Sequence, residues 1–270
     1  MRSILQQWRT KSDFFFEVGT TTLAGLLSGM TQNSAHGDLF RGFFREPVAM
    51  LGVSLNYGAI LTMSLLVGLA LGLTAASPGV KLFGEEKLVY WREAASGHSR
   101  SAYFIGKVLS SFPRILIATL HYTIPFILLA TPMISWGSSF IINLLYYFTI
   151  YGLASVVSSI CRRDNGPLLA VLSALVVGFL NGMAPTITTV TGWHMGWLWQ
   201  ASPGVWLAEA YFSENLVPLE YLYQIEHAES YTGYTVNRFG VDCGVLLAIG
   251  CAYRIIAFVG MIALHREKQR

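Results

Sequence analysis

Between Ile115 and Cys161 the chain carries no lysine, arginine, aspartate or glutamate. A water-facing domain surface does not run so far without charge. A helix needs about 20 mostly apolar residues to cross the hydrocarbon core of a bilayer. This one run therefore accommodates two crossings, with Thr131-Pro132 through Gly137-Ser138 as the turn between them. Composition agrees: 53% of the 270 residues are hydrophobic and only 12% charged, against about 25% charged in soluble domains.

The same reading along the chain finds apolar runs from Val18 to Ser34, extended by Phe14 to Phe16, and from Pro47 to Val80. Gly166 to Ala208 is free of charge and reads as one crossing to about Pro185, then an aromatic-rich segment. Val241 to Leu264 is the last run. The expected fold class is all-α integral membrane, with six transmembrane helices over 14–33, 50–76, 103–130, 138–160, 166–186 and 241–264. An external segment is expected over 187–240.

Basic residues orient such a chain, because they are retained on the cytoplasmic side. Arg2, Arg9 and Lys11 precede span one; Lys81, Lys87, Arg92 and Arg100 follow span two; Arg162 and Arg163 follow span four; Arg266, Lys268 and Arg270 end the chain. Six spans put all of these on one side, with both termini cytoplasmic and the protein multi-pass, the plasma membrane being one candidate location. The segment 187–240 holds one such base, Arg238, against five glutamates, and belongs outside. Arg41 and Arg45 oppose the rule. Each of the seven tryptophans falls outside or at the end of a span, where indole favours the headgroup level. Trp193, Trp197, Trp199 and Trp206 mark a segment at the outer interface. Ile4, Leu5 and Trp8 share a helical face apart from Arg2 and Arg9, the pattern of a short helix along the inner interface.

Several functions find no support. No basic stripe with interleaved aromatics suggests nucleic acid. Cys161, Cys243 and Cys251 have no metal-ligand spacing, so no metal site is expected. No secretory signal and no glycosylation sequon are present.

Charges inside the spans call for partners. Lys107 is expected to reach the inner headgroups. Arg114, beside Pro113, is placed to join a polar network; Arg254, midway along span six, to meet a carbonyl, an acid or a wet cavity; His121 to hydrogen-bond within the helix packing. Asn56, Asn143 and Asn181 either line a cavity or bind a neighbouring helix, the second being commoner. Gly25/Gly29, Gly68/Gly72 and Gly178/Gly182 are small-residue pairs for close helix contact.

The densest charged stretch is Phe83 to Lys107. Glu85, Glu86, Lys87, Arg92 and Glu93 carry both signs at helical spacing, with Leu88, Val89 and Trp91 between them. Two readings are open: a solvated loop, or a surface helix that docks a partner. Here the order Glu86, Lys87, Arg92, Glu93, Ser96, Gly97, Ser99, Ala102, Tyr103 and Phe104, with Pro113 in the next helix, resembles the ABC-2 type membrane domains of the ABCG (White/PDR) transporters. Ser202-Pro203 with Trp206, Glu209 and Ala210 is similar to that family's last external loop. The wording from Gly79 to Phe83-Gly84 and from Tyr90 to His98 is closest to the plant and fungal half-transporter branch.

The resemblance implies a function: the transmembrane half of an ATP-driven exporter of lipid-like or amphipathic small molecules. Its partners would be an ATP-binding domain or subunit, a second copy or homologous half-transporter, and membrane lipids. Glu85, Glu86, Lys87, Tyr90, Arg92 and Glu93 would form the coupling element to the ATP-binding domain. Arg2, Trp8 and Arg9 would lie on a connecting helix. Thr62, Leu65, Leu66, Leu172, Leu175, Phe179, Leu180 and Asn181 would line the substrate path or gate. The family carries its ATP-binding domain before the membrane domain, and the one Gly-Lys pair here, Gly106-Lys107, lacks the rest of a phosphate loop. No catalytic residue and no cofactor are therefore expected on this chain; ATP and Mg belong on the partner. Paired cysteines, frequent in the family's last external loop, are missing from 187–240. The alternatives are an ATP-independent channel or scaffold and, further off, a membrane-bound lipid enzyme, for which only His121 and Arg254 lie inside spans.

Overall fold

The structure is a computed structural model that describes residues 11–34, 39–51, 54–84, 87–161 and 164–264. Eleven α-helices are formed among them. They are α1 (Lys11–Asn33), α2 (Gly58–Gly84), α3 (Lys87–Ala95), α4 (Arg100–Ala130), α5 (Trp136–Ile160), α6 (Gly166–Phe179), α7 (Ile187–Gly192), α8 (Gly196–Gln200), α9 (Pro203–Leu216), α10 (Ile225–Thr232) and α11 (Phe239–Ala263). Four of them, α2, α4, α5 and α11, are long and apolar enough to cross a membrane. α1 has 23 residues but carries Asp13 and Glu17, and α6 has only 14.

The helix ends follow local chemistry. The Ser99 hydroxyl accepts from Ala102 N–H at the start of α4, and the Ser135 hydroxyl accepts from Ser138 N–H at the start of α5. Between them Thr131 closes α4 at φ 43, and Pro132 follows where the helix can no longer continue. The expected turn from 131 to 138 is thus made by one C-cap and one N-cap. α2 is displaced from the expected 50–76. Asn56 bridges to Arg41, and its side chain accepts from Ala59 N–H. It therefore caps α2 from outside, and is not a polar group within a span.

α5 is the hub, packing on α2, α4, α6, α9 and α11. Tyr146, Tyr147, Tyr151, Ile142 and Ile150 are all buried. α1 lies along α4, and small residues set their distance: a side chain at Gly25 would meet the Tyr122 carbonyl and Pro125, and one at Gly29 would meet Leu129. This is how apolar helices associate where lipid competes for every apolar contact.

One end of the bundle carries 39–51, 54–57 and 180–238, the other carries α3. At the first end, residues 43–45 lie against the segment after α9. Phe44 pairs with Tyr223 through an isolated antiparallel bridge, and their rings stack at 5.1 Å. Arg45 donates to the Tyr223 carbonyl and pairs with Glu226 at 3.3 Å and Glu220 at 4.0 Å. Its charge, an exception in the sequence pattern, is neutralised by the acids facing it.

α9 is buried over most of its length. Glu209 on it accepts from Thr235 N–H at 3.1 Å, and its side chain is buried. Burial pushes its carboxyl above the ordinary carboxylate value, against the pull of the Thr235 amide and Arg238. Ionised, the group bears its full desolvation cost; the cost is relieved as pH falls through the raised folded value toward the unfolded one. Thermal unfolding in detergent is therefore expected to show Glu209→Gln flattening the pH dependence. The variant keeps an acceptor for Thr235 and should unfold no lower than wild type at neutral pH. A lower unfolding temperature there, with unchanged pH dependence, would contradict this account.

Candidate functional site

A short helix at one end and a set of buried polar groups inside the bundle make up the candidate site. α3 is held by its own first residue. Lys87 Nζ donates to the Cys161 carbonyl at 2.8 Å and to the Ser159 carbonyl at 3.4 Å. Both carbonyls lie at the C-terminal end of α5, where the helix dipole favours a cation. Burial pushes the Lys87 ammonium below the ordinary lysine value. Tyr90, 4% exposed, lies against Tyr103 of α4 with ring centroids 5.1 Å apart. Phe83, Phe104 and Met261 join Lys87, Tyr90 and Trp91 around a narrow apolar pocket. α3 is thus fixed to the ends of α2, α4, α5 and α11. Arg92 faces solvent and Glu93 is half-buried. Glu85 and Glu86, and Arg2, Trp8 and Arg9, lie outside the described residues.

Inside the bundle, Arg114 of α4 donates through Nε to Glu17 Oε2 at 3.0 Å and also through Nη2. The other oxygen of Glu17 accepts from Tyr151 at 2.7 Å and Tyr147 at 3.2 Å. Tyr147 also lies 3.4 Å from the Thr74 carbonyl of α2. Glu17 is 3% exposed. At the mouth of the same region Lys81 pairs with Asp13 at 3.0 Å. Four donors to one carboxylate offset its removal from water, each charge-assisted bond contributing about 1.5–3 kcal/mol. The signal for Glu17 in the sequence is a lone acid between three phenylalanines and an apolar run; a search for uncharged runs steps over it.

Arg254 donates to the Gly250 carbonyl of its own helix and to the Phe148 carbonyl of α5, both at 2.9 Å. Its guanidinium carbon lies 3.3 Å from the centroid of the Phe148 ring. Among the described residues this is a carbonyl-and-aromatic seat with no acid. His121 sits on an exposed face, its Nδ1 2.8 Å from the Ile117 carbonyl. Lys107 is buried and engaged within the protein. Asn143 joins Thr123 and Tyr211 across three helices. Asp242, in the first turn of α11, is buried with neither oxygen hydrogen-bonded among the described residues; sequence reading singled out neither it nor the burial of Glu209.

The expected path residues fall on α2, α6 and the turn after α6. The Asn181 amide donates to the Leu61 carbonyl at 3.4 Å, its Oδ1 accepts from Met183 N–H, and its carbonyl accepts from Tyr234. Thr62 reaches Met183 Sδ at 3.7 Å. Thr62 and Asn181 are therefore brought to one junction. Leu65, Leu66, Leu175 and Leu180 are half-buried. Leu172 and Phe179 are exposed, at 47% and 59%. With Leu168 and Val176 they form an outward apolar stripe on α6. The described residues hold no group of three or more metal-ligating side chains.

Comparison with known proteins gives a consistent answer. A family profile described as ABC-2 type transporter matches residues 51–267. The chain is 41% identical over 228 residues to the ABC-type transporter claG of Penicillium crustosum, covering 84% of this chain and 31% of that protein. It is 21% identical over 201 residues to white-brown complex homolog protein 30 of Arabidopsis thaliana, covering 74% of this chain and 18% of that protein. The chain thus spans less than a third of the length of either relative.

Removing Glu17 leaves Arg114 buried and unpaired, a loss of about 3–5 kcal/mol. Glu17→Ala is expected to lower the unfolding temperature sharply and to shift the protein toward aggregates on size exclusion. Glu17→Gln combined with Arg114→Gln, which removes both charges, should recover much of that loss. Equal damage from the double variant would show that the charge pair is not what holds α1 to α4.

Proposed function

We propose, from the premise that this chain belongs to the ABC-2 type transporter family and forms the transmembrane part of a transporter, that it is one half of an ATP-driven exporter. The protein is integral and multi-pass. In this reading α1 and α6 make two further crossings beside α2, α4, α5 and α11, giving six, with both termini and α3 in the cytoplasm and the 187–240 segment outside. The ATP-binding domain supplies ATP and Mg chemistry, and a second membrane half completes the translocation path.

The observation that carries the reading is the seat of α3. A helix meant only to stay in water has no need of a lysine clamped on the end of another helix. Lys87 ties α3 to α5, and α5 is the hub against which α2, α4 and α11 pack. Force applied to the exposed side of α3, at Arg92, is therefore delivered to the core of the bundle. The apolar stripe on α6 and the Thr62–Asn181 junction support a path between two halves for cargo that is itself apolar or amphipathic.

The test is transport in sealed vesicles by the full transporter that contains this chain. Uptake of fluorescently labelled lipids is expected to require ATP. Lys87→Met should reduce ATP-dependent uptake by about tenfold while protein abundance and unfolding temperature change little. Uptake that continues at the same rate after ATP depletion would overturn the proposal and favour a channel.

A further inference from the structure

α11 opens on an acid that is completely enclosed. Asp242, in its first turn, is 0% exposed. Under 1 Å² of either carboxyl oxygen is accessible, and among the described residues neither has a hydrogen-bond partner. An ionised carboxylate away from water persists only where donors or a cation fill its lone pairs. Glu17 meets that condition in this same bundle, through Arg114, Tyr147 and Tyr151. Asp242 does not meet it, so the two buried acids differ in state.

The groups around Asp242 supply no counter-charge. α11 packs on α9 and α5. Two hydrogen bonds, one turn apart on α9, bring the chain into that contact: Thr235 N–H donates to Glu209 Oε1 at 3.1 Å, and Asn237 N–H donates to Ser213 Oγ at 2.9 Å. The charged residues of α9 are both acids, Glu209 buried and Glu214 half-buried. Its Tyr211 donates to Asn143, and Tyr234 before α11 donates to the Asn181 carbonyl. α5 has no charged residue and no histidine. Its Tyr147 and Tyr151 serve Glu17, and its Tyr146 hydroxyl lies against Gly68 of α2. On α11 itself Cys243 is half-buried, and Tyr253 and Arg254 lie three turns further along, Arg254 held by carbonyls. Arg238, one turn before Asp242, faces solvent and does not pair with it.

A water molecule or a metal ion needs room beside the oxygens, and neither oxygen has any. A proton needs none. We propose that Asp242 is a proton-binding site, and that its bound proton is what allows α9 and α11 to close over it. Loss of the proton leaves a charge on a face that already carries two acids, and the first turn of α11 then opens toward water and Arg238. The sign follows from linkage. The group is protonated in the packed bundle and ionised in the unfolded chain near neutral pH, so unfolding releases a proton and rising pH favours it. If the orientation proposed above holds, this end of α11 lies outside, and the closure of α9 on α11 responds to external pH.

The experiment is infrared spectroscopy of the protein in detergent, without ATP, so it depends on neither transport nor orientation. Aspartate is labelled with carbon-13 at its side-chain carboxyl. Four of the 15 acidic residues are aspartates, so the label separates Asp242 from Glu209. The labelled C=O band of a protonated carboxyl is expected at neutral pH and should fade at high pH. Asp242→Asn should abolish it, and Asp242→Glu should replace it with an unlabelled band. Thermal unfolding gives a second readout: the wild-type unfolding temperature should fall by about 3–5 °C for each pH unit over which the proton is retained. Asp242→Asn should flatten that fall, and Asp242→Asn with Glu209→Gln should flatten it more than either alone. If the asparagine variant does not fold, the wild-type and glutamate spectra still decide. A neutral-pH spectrum without the labelled band, or a labelled band that persists in Asp242→Glu, overturns the proposal. Stabilisation by sodium or calcium in the absence of the band also overturns it, in favour of a metal ion.

Discussion

A carboxylate buried among apolar helices, that of Glu17, holds three of them directly and touches a fourth through a shared hydroxyl. One oxygen takes the guanidinium of Arg114 on α4, and the other takes Tyr147 and Tyr151 on α5. Tyr147 reaches on to the Thr74 carbonyl of α2. In a medium without water, an ionised group persists only where its lone pairs are filled. The arrangement of α1, α4 and α5 is therefore fixed by a geometric demand, since moving any one of them strands a charge. Apolar packing alone sets no such register, because lipid offers the same contacts.

The rest of the bundle follows from that junction. Gly25 and Gly29 let α1 approach α4 to backbone contact, close enough for Glu17 and Arg114 to meet. α5, fixed on one side by the two tyrosines, is fixed on the other by Arg254 of α11 through the Phe148 carbonyl. Its far end is closed by Lys87 of α3. A chain of charged and hydrogen-bonded contacts thus runs from the surface helix through α5 to α1, α2 and α11. Each link is a polar group with fixed partners, so each is specific in direction, and those at Glu17 and Arg254 are also costly to break. Those are the properties a bundle needs if motion at α3 is to reach the far side undiminished.

Much of the helical content is legible in the sequence because it rests on local chemistry. The turn between α4 and α5 is announced by Thr131-Pro132 and the serines that follow. Arg114 and Arg254 are visible as charges that demand partners. Their partners are less visible. Arg254 leaves a carbonyl, an acid or a cavity open, and only the packing of α5 on α11 selects carbonyls and a ring. Glu17 is passed over because a search for uncharged runs treats one acid as a boundary. Asn56 reads as part of a span, since nothing local separates an apolar strand-like loop from the start of a helix; its pairing with Arg41 decides the matter. Lys107 has the position of a residue that reaches for headgroups, yet neighbouring helices enclose it.

By itself, the sequence determined that this protein belongs in a membrane, because its apolar run lengths are a one-dimensional property that no folding can change. It also carried the family, through the charged order around α3. The tertiary structure alone decided which polar groups meet. Glu17 and Arg114, Asn181 and the Leu61 carbonyl, and Lys87 and the end of α5 are separated by dozens of residues. Their pairing depends on which helix faces lie against each other, and that is set by where small residues allow two backbones to approach.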